Sequence, residues 1–484
     1  MSITDESETL DLSNVNTGDV DGENSEFPTI AVLVTAVSAF VCLISGLIWY
    51  LAGDPFSAIV CLISQTVLVS IVIWQACDPF ADAAEHIGHV LKLPGSVRGA
   101  TLDAIASSMP ELFTGIIFVV LAVLYGREGV DLQEASGEGF ALVIATCAGS
   151  AVYNMILIPA ICAIFISYYR PSRPTIDVES RVIVRDGAWF VLMEILLIVF
   201  LLQQRIEWWM GVVFLLGYAA YVTVLYFDAR RFQKQVSLIE GWIAGGMSGP
   251  EALSAYAESG KKVSRDLRRR FETVSSSSKN EVLGAMKGEI GEEGSVGIEV
   301  TQEADEEPDT AGVCFGIFPI RLNLLTSWLI IAIATVFAAT ACYWLVEITQ
   351  VTAEKLHVPV FFVAVILAAA ASSVPDTFLS VGSAKRGDDD GAVSNAFGSN
   401  IFDISICISI PLLVASYLNN WEPIVFAESA SIVSLQVMLA ILTVITLSVI
   451  AHKLQLTRRK AYFLVSLYVV FILYAVVGSL GTFG

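Results

Sequence analysis

The sequence is short of basic residues and nearly empty of histidine. Its 484 residues hold 27 Lys and Arg against 48 Asp and Glu, with four His. A net charge of −21 argues against nucleic acid as a partner, because phosphates need cations to meet them. The eight Cys and four His have no metal-type spacing, so no cluster is available for a soft metal. No disulfide framework is visible either. Cys42, Cys61, Cys147, Cys162, Cys342 and Cys407 fall in apolar runs, with Cys77 just after one and Cys314 in a polar stretch. They are expected to pack as small hydrophobes. A basic leader is missing at the start, so the first apolar run is expected to remain as a helix. No zinc, Ser/His or aspartyl-protease pattern falls in the apolar runs. An enzyme is therefore not expected, nor a bound cofactor.

Apolar residues are what the chain has in plenty, at 55%. That is the composition of a polytopic, all-α membrane protein whose first partner is the lipid bilayer. The acids concentrate outside the apolar runs. Residues 1–28 carry eight Asp and Glu and no Lys or Arg, and Glu289–Asp309 forms a second acidic cluster. The first of these reads as a solvated, disordered tail.

A membrane span needs about 20 apolar residues. On that standard the spans fall near Thr29–Leu51, Phe56–Ala76, Val97–Tyr125, Gly139–Tyr168, Gly187–Gln203 and Trp208–Phe227. Five more follow near Leu322–Val346, Val358–Ser383, Ala392–Tyr417, Ser429–Ala451 and Ala461–Leu480. The expected plan is one extra helix over 29–51, a first membrane unit over 56–227 and a second over 322–480. A polar linker over 228–319 joins the two units. It is expected to be mostly disordered, with some helix near Lys261–Thr273.

Basic residues set the orientation. With the linker and its 11 Lys and Arg inside, the basic connection Arg170–Arg185 also falls inside. So do Lys385–Arg386 and the turn His452–Lys460. The acidic loop Gly126–Glu138 and the Lys- and Arg-free loop Tyr417–Glu428 fall outside.

Two stretches inside the apolar runs read alike. One is Ala104–Ile105–Ala106–Ser107–Ser108–Met109–Pro110–Glu111; the other is Ala369–Ala370–Ala371–Ser372–Ser373–Val374–Pro375–Asp376. Each precedes a Gly-Ser pair with an amide or acid four residues after the serine: Gly149–Ser150 with Asn154, and Gly398–Ser399 with Asp403. A carboxylate at that depth costs roughly 2.5–3.5 kcal/mol on insertion scales, so such residues mark function. Five crossings separate the two stretches, which puts them on helices of opposite direction. That is the pattern of an inverted repeat with a site near the midplane.

The chemistry on offer is hard oxygen. Proline lacks an N–H and frees the carbonyl four residues back, that of Ala106 for Pro110 and of Ala371 for Pro375. Serines stand beside each freed carbonyl, and Glu111, Asp376 and Asp403 supply charge. Calcium takes six to eight oxygens of these types, and sodium can use the same donors. Of the remaining polar residues, Asp103 is a candidate for lining an inner approach and Glu194 for a paired structural acid. Asp388, Asp389 and Asp390 are expected to cap a helix start.

The stretches ASSMPEL and ASSVPDT, with GSAVYNM and GSNIFDI, resemble the two alpha repeats of the cation/calcium exchanger superfamily. The branch they look most like is the potassium-dependent sodium/calcium exchangers, which Cys77–Asp78, Gly99–Ala100–Thr101 and Ser394–Asn395 also resemble. The resemblance implies the sodium/calcium exchanger fold, two inverted five-helix repeats around a central cation site. It implies Glu111 and Asp376 as principal calcium ligands, with hydroxyls from Ser107, Ser108, Ser372 and Ser373. Carbonyls of Ala104 and Ala369 would add to them. Ser150, Asn154, Ser399, Asn400 and Asp403 would complete the calcium and sodium positions, and Asp403 is the residue tied to potassium. The transported ions would be calcium, sodium and, as a candidate, potassium. Phe56–Ala76 and Leu322–Val346 would form the moving gate, most naturally in a plasma membrane. Ala106 and Ala371 stand where many members have glycine, and Asp103 faces Ala368 as its counterpart. Both departures bear on ion selectivity. The rival readings are proton-coupled or potassium-independent exchange and, from another class, a cation channel.

Overall fold

The computed structural model describes residues 26–124, 131–272, 310–313, 316–426 and 429–479. The acidic start up to residue 25, the cluster Glu289–Asp309, Cys314 and most of the loop after Tyr125 lie outside the described residues.

Thirteen helices organise the described residues. They are α1 Glu26–Ala52, α2 Pro55–Val90, α3 Gly95–Leu124, α4 Leu132–Tyr169, α5 Ser180–Leu201, α6 Trp208–Ala244, α7 Gly249–Glu258, α8 Arg265–Phe271, α9 Leu324–Leu356, α10 Val360–Lys385, α11 Asp389–Leu418, α12 Ser429–Ala451 and α13 Arg458–Ser479. Among the described residues, 10 helices are long and apolar enough to cross a membrane. The expected eleventh, α5, is present with 22 residues. It falls below that standard because Arg181, Arg185, Asp186 and Glu194 interrupt its apolar run.

The second span departs from its expected end at Ala76. Helix α2 runs unbroken to Val90 with Pro79 inside it. Charged Asp78, Asp82 and Glu85 hide this continuation in the sequence. The opposite face carries it, with Phe80, Ala83, Ala84 and Ile87 buried. At the start of α2, Asp54 accepts the Ser57 amide at 2.9 Å and Pro55 occupies the first turn, a regular helix start.

The linker is also more ordered than expected at its beginning. Helix α6 continues past Phe227 to Ala244, and α7 and α8 follow. Phe232, Val236 and Ile239 recur at helical spacing and bury against Leu253, Tyr256, Leu267 and Phe271. Ser248 and Glu251 form a capping box that starts α7. Farther on, Thr310–Val313 (β3) and Phe318–Arg321 (β4) pair as a hairpin.

Two short ribbons knit the membrane halves together. Ile176–Asp177 (β1), between α4 and α5, pairs with Gln455–Leu456 (β6), between α12 and α13. Arg205–Ile206 (β2), between α5 and α6, pairs with Ile424–Val425 (β5), between α11 and α12. Exchanging the two halves turns one ribbon into the other. The same exchange relates four π-helical turns: Gly99–Asp103 with Ala364–Ala368, and Tyr153–Leu157 with Asp403–Cys407. These are the marks of an inverted repeat, α2–α6 against α9–α13. Helix α1 stands outside it and packs along α2, where Ser45 and Ser64 share a hydrogen bond of 2.7 Å.

Most Cys behave as expected. Among the described residues none is in a disulfide, and all but the half-buried Cys42 are buried.

Candidate cation site

The site lies where α3, α4, α10 and α11 meet. Two glycines allow the approach. A methyl on Gly149 would strike the Val365 carbonyl oxygen in the π turn of α10. One on Gly398 would lie 2.6 Å from Ala100 Cα in the π turn of α3. Each repeat thus presses its Gly-Ser helix onto the other repeat's proline helix, with no room for a side chain between. π turns widen the helix by one residue and are frequent at functional sites. Here they flank both motifs.

The two proline segments are not alike in backbone. Helix α3 passes through Pro110 without interruption. Proline still leaves the Ala106 carbonyl without its usual donor. In α10 the helix does break, at Ser373 with φ −85° and ψ 4°. The candidate carbonyls are engaged within their own helices. Ser107 Oγ donates to the Asp103 and Ala104 carbonyls at 2.9 and 3.3 Å. The Ala369 carbonyl accepts from Ser372 Oγ at 3.2 Å and from the Ser373 amide at 3.1 Å.

Glu111, Asp376 and Asp403 are all 0% exposed. Ser150 Oγ stands 3.2 Å from Glu111 Oε1 and 2.9 Å from Asp403 Oδ2. Ser373 Oγ reaches Glu111 Oε1 at 3.0 Å and Ser150 Oγ at 2.9 Å, and Asn154 Nδ2 donates to Ser150 Oγ at 3.3 Å. On the other side, Ser399 Oγ donates to Asp376 Oδ1 at 2.5 Å and lies 3.2 Å from Ser107 Oγ. Asn400 Nδ2 donates to the Ala151 carbonyl at 3.2 Å. The serine-bridged groups form two clusters, one around Glu111 and Asp403 and one around Asp376. Ser108 does not join them by hydrogen bond; its hydroxyl is buried without a partner.

What remains unpaired is telling. Glu111 Oε2, Asp376 Oδ2, Asp403 Oδ1, Asn154 Oδ1, Asn395 Oδ1 and Asn400 Oδ1 are buried and accept no hydrogen bond. Buried acceptors are normally satisfied. Six acceptor oxygens without donors, three of them on carboxylates, are what a hard cation would meet. Among the described residues, no group of three His, Cys, Asp or Glu side chains is placed to hold one metal. The acids are instead separated by hydroxyls and amides, so any cation here would be shared with neutral oxygens.

Other polar residues find structural roles. Glu194 accepts from Thr443 Oγ1 at 3.2 Å across α5 and α12. Asp103 pairs with Arg98 at 3.5 Å, and Arg98 also meets Glu85 at 3.0 Å and Asp388 at 3.1 Å. Asp388 caps α11, accepting the Gly391 amide at 2.8 Å. Asp389 binds Arg170 at 2.7 Å and the Asp177 amide at 3.0 Å, while Asp390 accepts the Glu179 amide at 2.6 Å. Sequence reasoning missed Asn395 as a site residue. Its Nδ2 holds Ser380 Oγ at 2.9 Å and the Asp376 carbonyl at 3.4 Å. The signal was available, since Asn395, Ser399 and Asp403 are spaced four apart on one helix face.

An inverted-repeat helical membrane protein with a buried, oxygen-only site at the crossing of its repeats belongs to the class of secondary transporters. The comparisons narrow this. Residues 61–227 and 326–477 match the family model described as sodium/calcium exchanger protein, and the chain belongs to that family. It is 23% identical over 510 residues to sodium/potassium/calcium exchanger 2 of Gallus gallus, covering 83% of this chain and 74% of that one. It is 26% identical over 378 residues to sodium/potassium/calcium exchanger 5 of Homo sapiens, covering 72% and 69%. The solved structure of the H+/Ca2+ exchanger CAX shares the fold, with a TM-score of 0.53, 14% identity and 94% of each chain covered.

Proposed function

We propose that the protein is an antiporter that exchanges sodium for calcium by alternating access, with Glu111 and Asp376 as the principal calcium ligands. The observation that carries this reading is the set of six donor-less acceptor oxygens drawn from both repeats. Three fully buried carboxylates without a cation in contact are costly to keep ionised. Calcium or sodium would neutralise them, and the two cargoes would compete for the same oxygens. Exchange follows, because the loaded site crosses more easily than the bare one. Asp403 breaks the symmetry of the repeats against Asn154, and it is our candidate for a potassium position. The names of the curated relatives support including potassium in the test. We place the protein in a plasma membrane on the family resemblance.

The test is flux in reconstituted vesicles. An outward sodium gradient is expected to drive calcium uptake, measured with and without potassium. Glu111→Gln and Asp376→Asn are each expected to lower uptake by about a hundredfold or more, as for loss of a partner in a buried charge site. Wild-type flux in both variants would overturn the site. Uptake driven by a pH gradient without sodium would instead make the partner ion a proton, and calcium current without a counter-ion would make the protein a channel.

A further inference from the structure

A groove of about 590 Å³ lies between α12 and α13, toward their inner ends. Val444, Val449 and Phe463 line its walls, and His452, Arg459 and Lys460 stand at its inner mouth. The walls are open to the surroundings, with Val444 59% and Phe463 46% exposed. The turn from His452 to Lys460 contains Lys453, Arg458, Arg459 and Lys460 and no Asp or Glu. Among the described residues none of these four cations forms an ion pair with a carboxylate. Lys460 Nζ donates to the carbonyls of His452 and, at 2.7 Å, Gln455. Arg458 lies 4.1 Å over the Tyr168 ring and donates to Ser167 Oγ at 3.1 Å. Lys453 and Arg459 are exposed.

The fold supplies its own control. The turn between α5 and α6 is the repeat-related twin, with β2 in the place of β6. There, Glu207, Trp208 and Trp209 occupy the positions of Thr457, Arg458 and Arg459. On the outer face the same turn carries one cation, Arg205, and none at the positions of Lys453, Arg458, Arg459 and Lys460, so the backbone does not require cations there.

We propose that this groove binds one anionic phospholipid, with an acyl chain along Val444, Val449 and Phe463 and the phosphate against Arg459, Lys460 and Lys453. A lipid fits better than a soluble anion because the cations sit at the end of an apolar trough on a membrane-facing helix pair. Basic pockets between the inner ends of membrane helices are suited to acidic headgroups. The site has a route to the transport machinery. Strand β6 pairs with β1, and the Asp177 amide of β1 donates to Asp389 at the start of α11. The inference does not rest on the identity of the transported ions.

The experiment is native mass spectrometry of the full chain in detergent, with added phosphatidylserine, phosphatidylcholine or inorganic phosphate. The wild type is expected to retain one phosphatidylserine in preference to phosphatidylcholine. Arg459→Gln is expected to weaken retention about fivefold, the size of one headgroup-level charge. Ser448→Trp, which fills the groove and leaves the cations in place, is expected to abolish it. Gel-filtration profiles check that both variants fold. Equal retention of the two lipids, displacement of the lipid by inorganic phosphate, or unchanged retention in a folded Ser448→Trp variant would each overturn the proposal.

Discussion

Ser150 carries one hydroxyl hydrogen yet stands within reach of two carboxylates, those of Glu111 and Asp403. It also accepts from Asn154, and the one hydrogen of Ser373 Oγ can go either to it or to Glu111 Oε1. With both acids ionised, the single hydrogens of Ser150 and Ser373 can give each acid one hydroxyl donor, and a cation sharing their oxygens supplies what is missing. Ser150→Ala is therefore expected to weaken calcium activation of flux by about tenfold, as for loss of a hydrogen bond to a charged group. Retention of wild-type calcium dependence would show that the bridge is incidental. Asp403→Asn makes the second repeat match Asn154 in the first. It is expected to leave sodium-driven calcium flux measurable while removing its potassium dependence, read from uptake with and without potassium. At this scale the sequence was highly legible. The repeated Ser-Ser-x-Pro-acid pattern brought Glu111, Asp376 and their serines into view, because an acid at membrane depth has few other uses. Arg98 was not legible, since the acids it joins, Glu85, Asp103 and Asp388, come from three separate stretches.

Among the elements, the close crossings at Gly149 and Gly398 govern whether the site assembles. Gly149→Ala is expected to cost about 1–3 kcal/mol through overpacking against α10, seen as a lower melting temperature of the purified protein. Arg98→Gln is expected to destabilise by about 3 kcal/mol or more, because it leaves the buried Asp103 and Asp388 without their cation while Glu85 keeps Arg386 at 3.3 Å. Thermal melting checks this too. The spans were legible from hydropathy, but their ends were not. Helix α2 outran its apolar run because only one face of its inner half is buried, and α6 did the same for the linker. The π turns leave no mark in composition, since one extra residue per turn changes no residue type.

For the whole molecule, sidedness is the first check. A cysteine at exposed Gln204 is expected to react with a membrane-impermeant maleimide from outside, and one at exposed Lys453 only from inside. Labelling of both from the same face would refute the inverted arrangement. Hydropathy and loop charge revealed this plan, but not how the halves hold each other. That is done by the ribbons, in which β1 pairs with β6 and β2 with β5. In each ribbon one strand comes from each half, so neither half can complete its own edge pairing. A gene cut within residues 273–309 should therefore behave as a complementation pair. The fragments, expressed together, are expected to reassemble and transport, while either alone should be degraded. The linker would then be dispensable as a tether, and the two halves would recognise each other by strand exchange rather than by covalent connection.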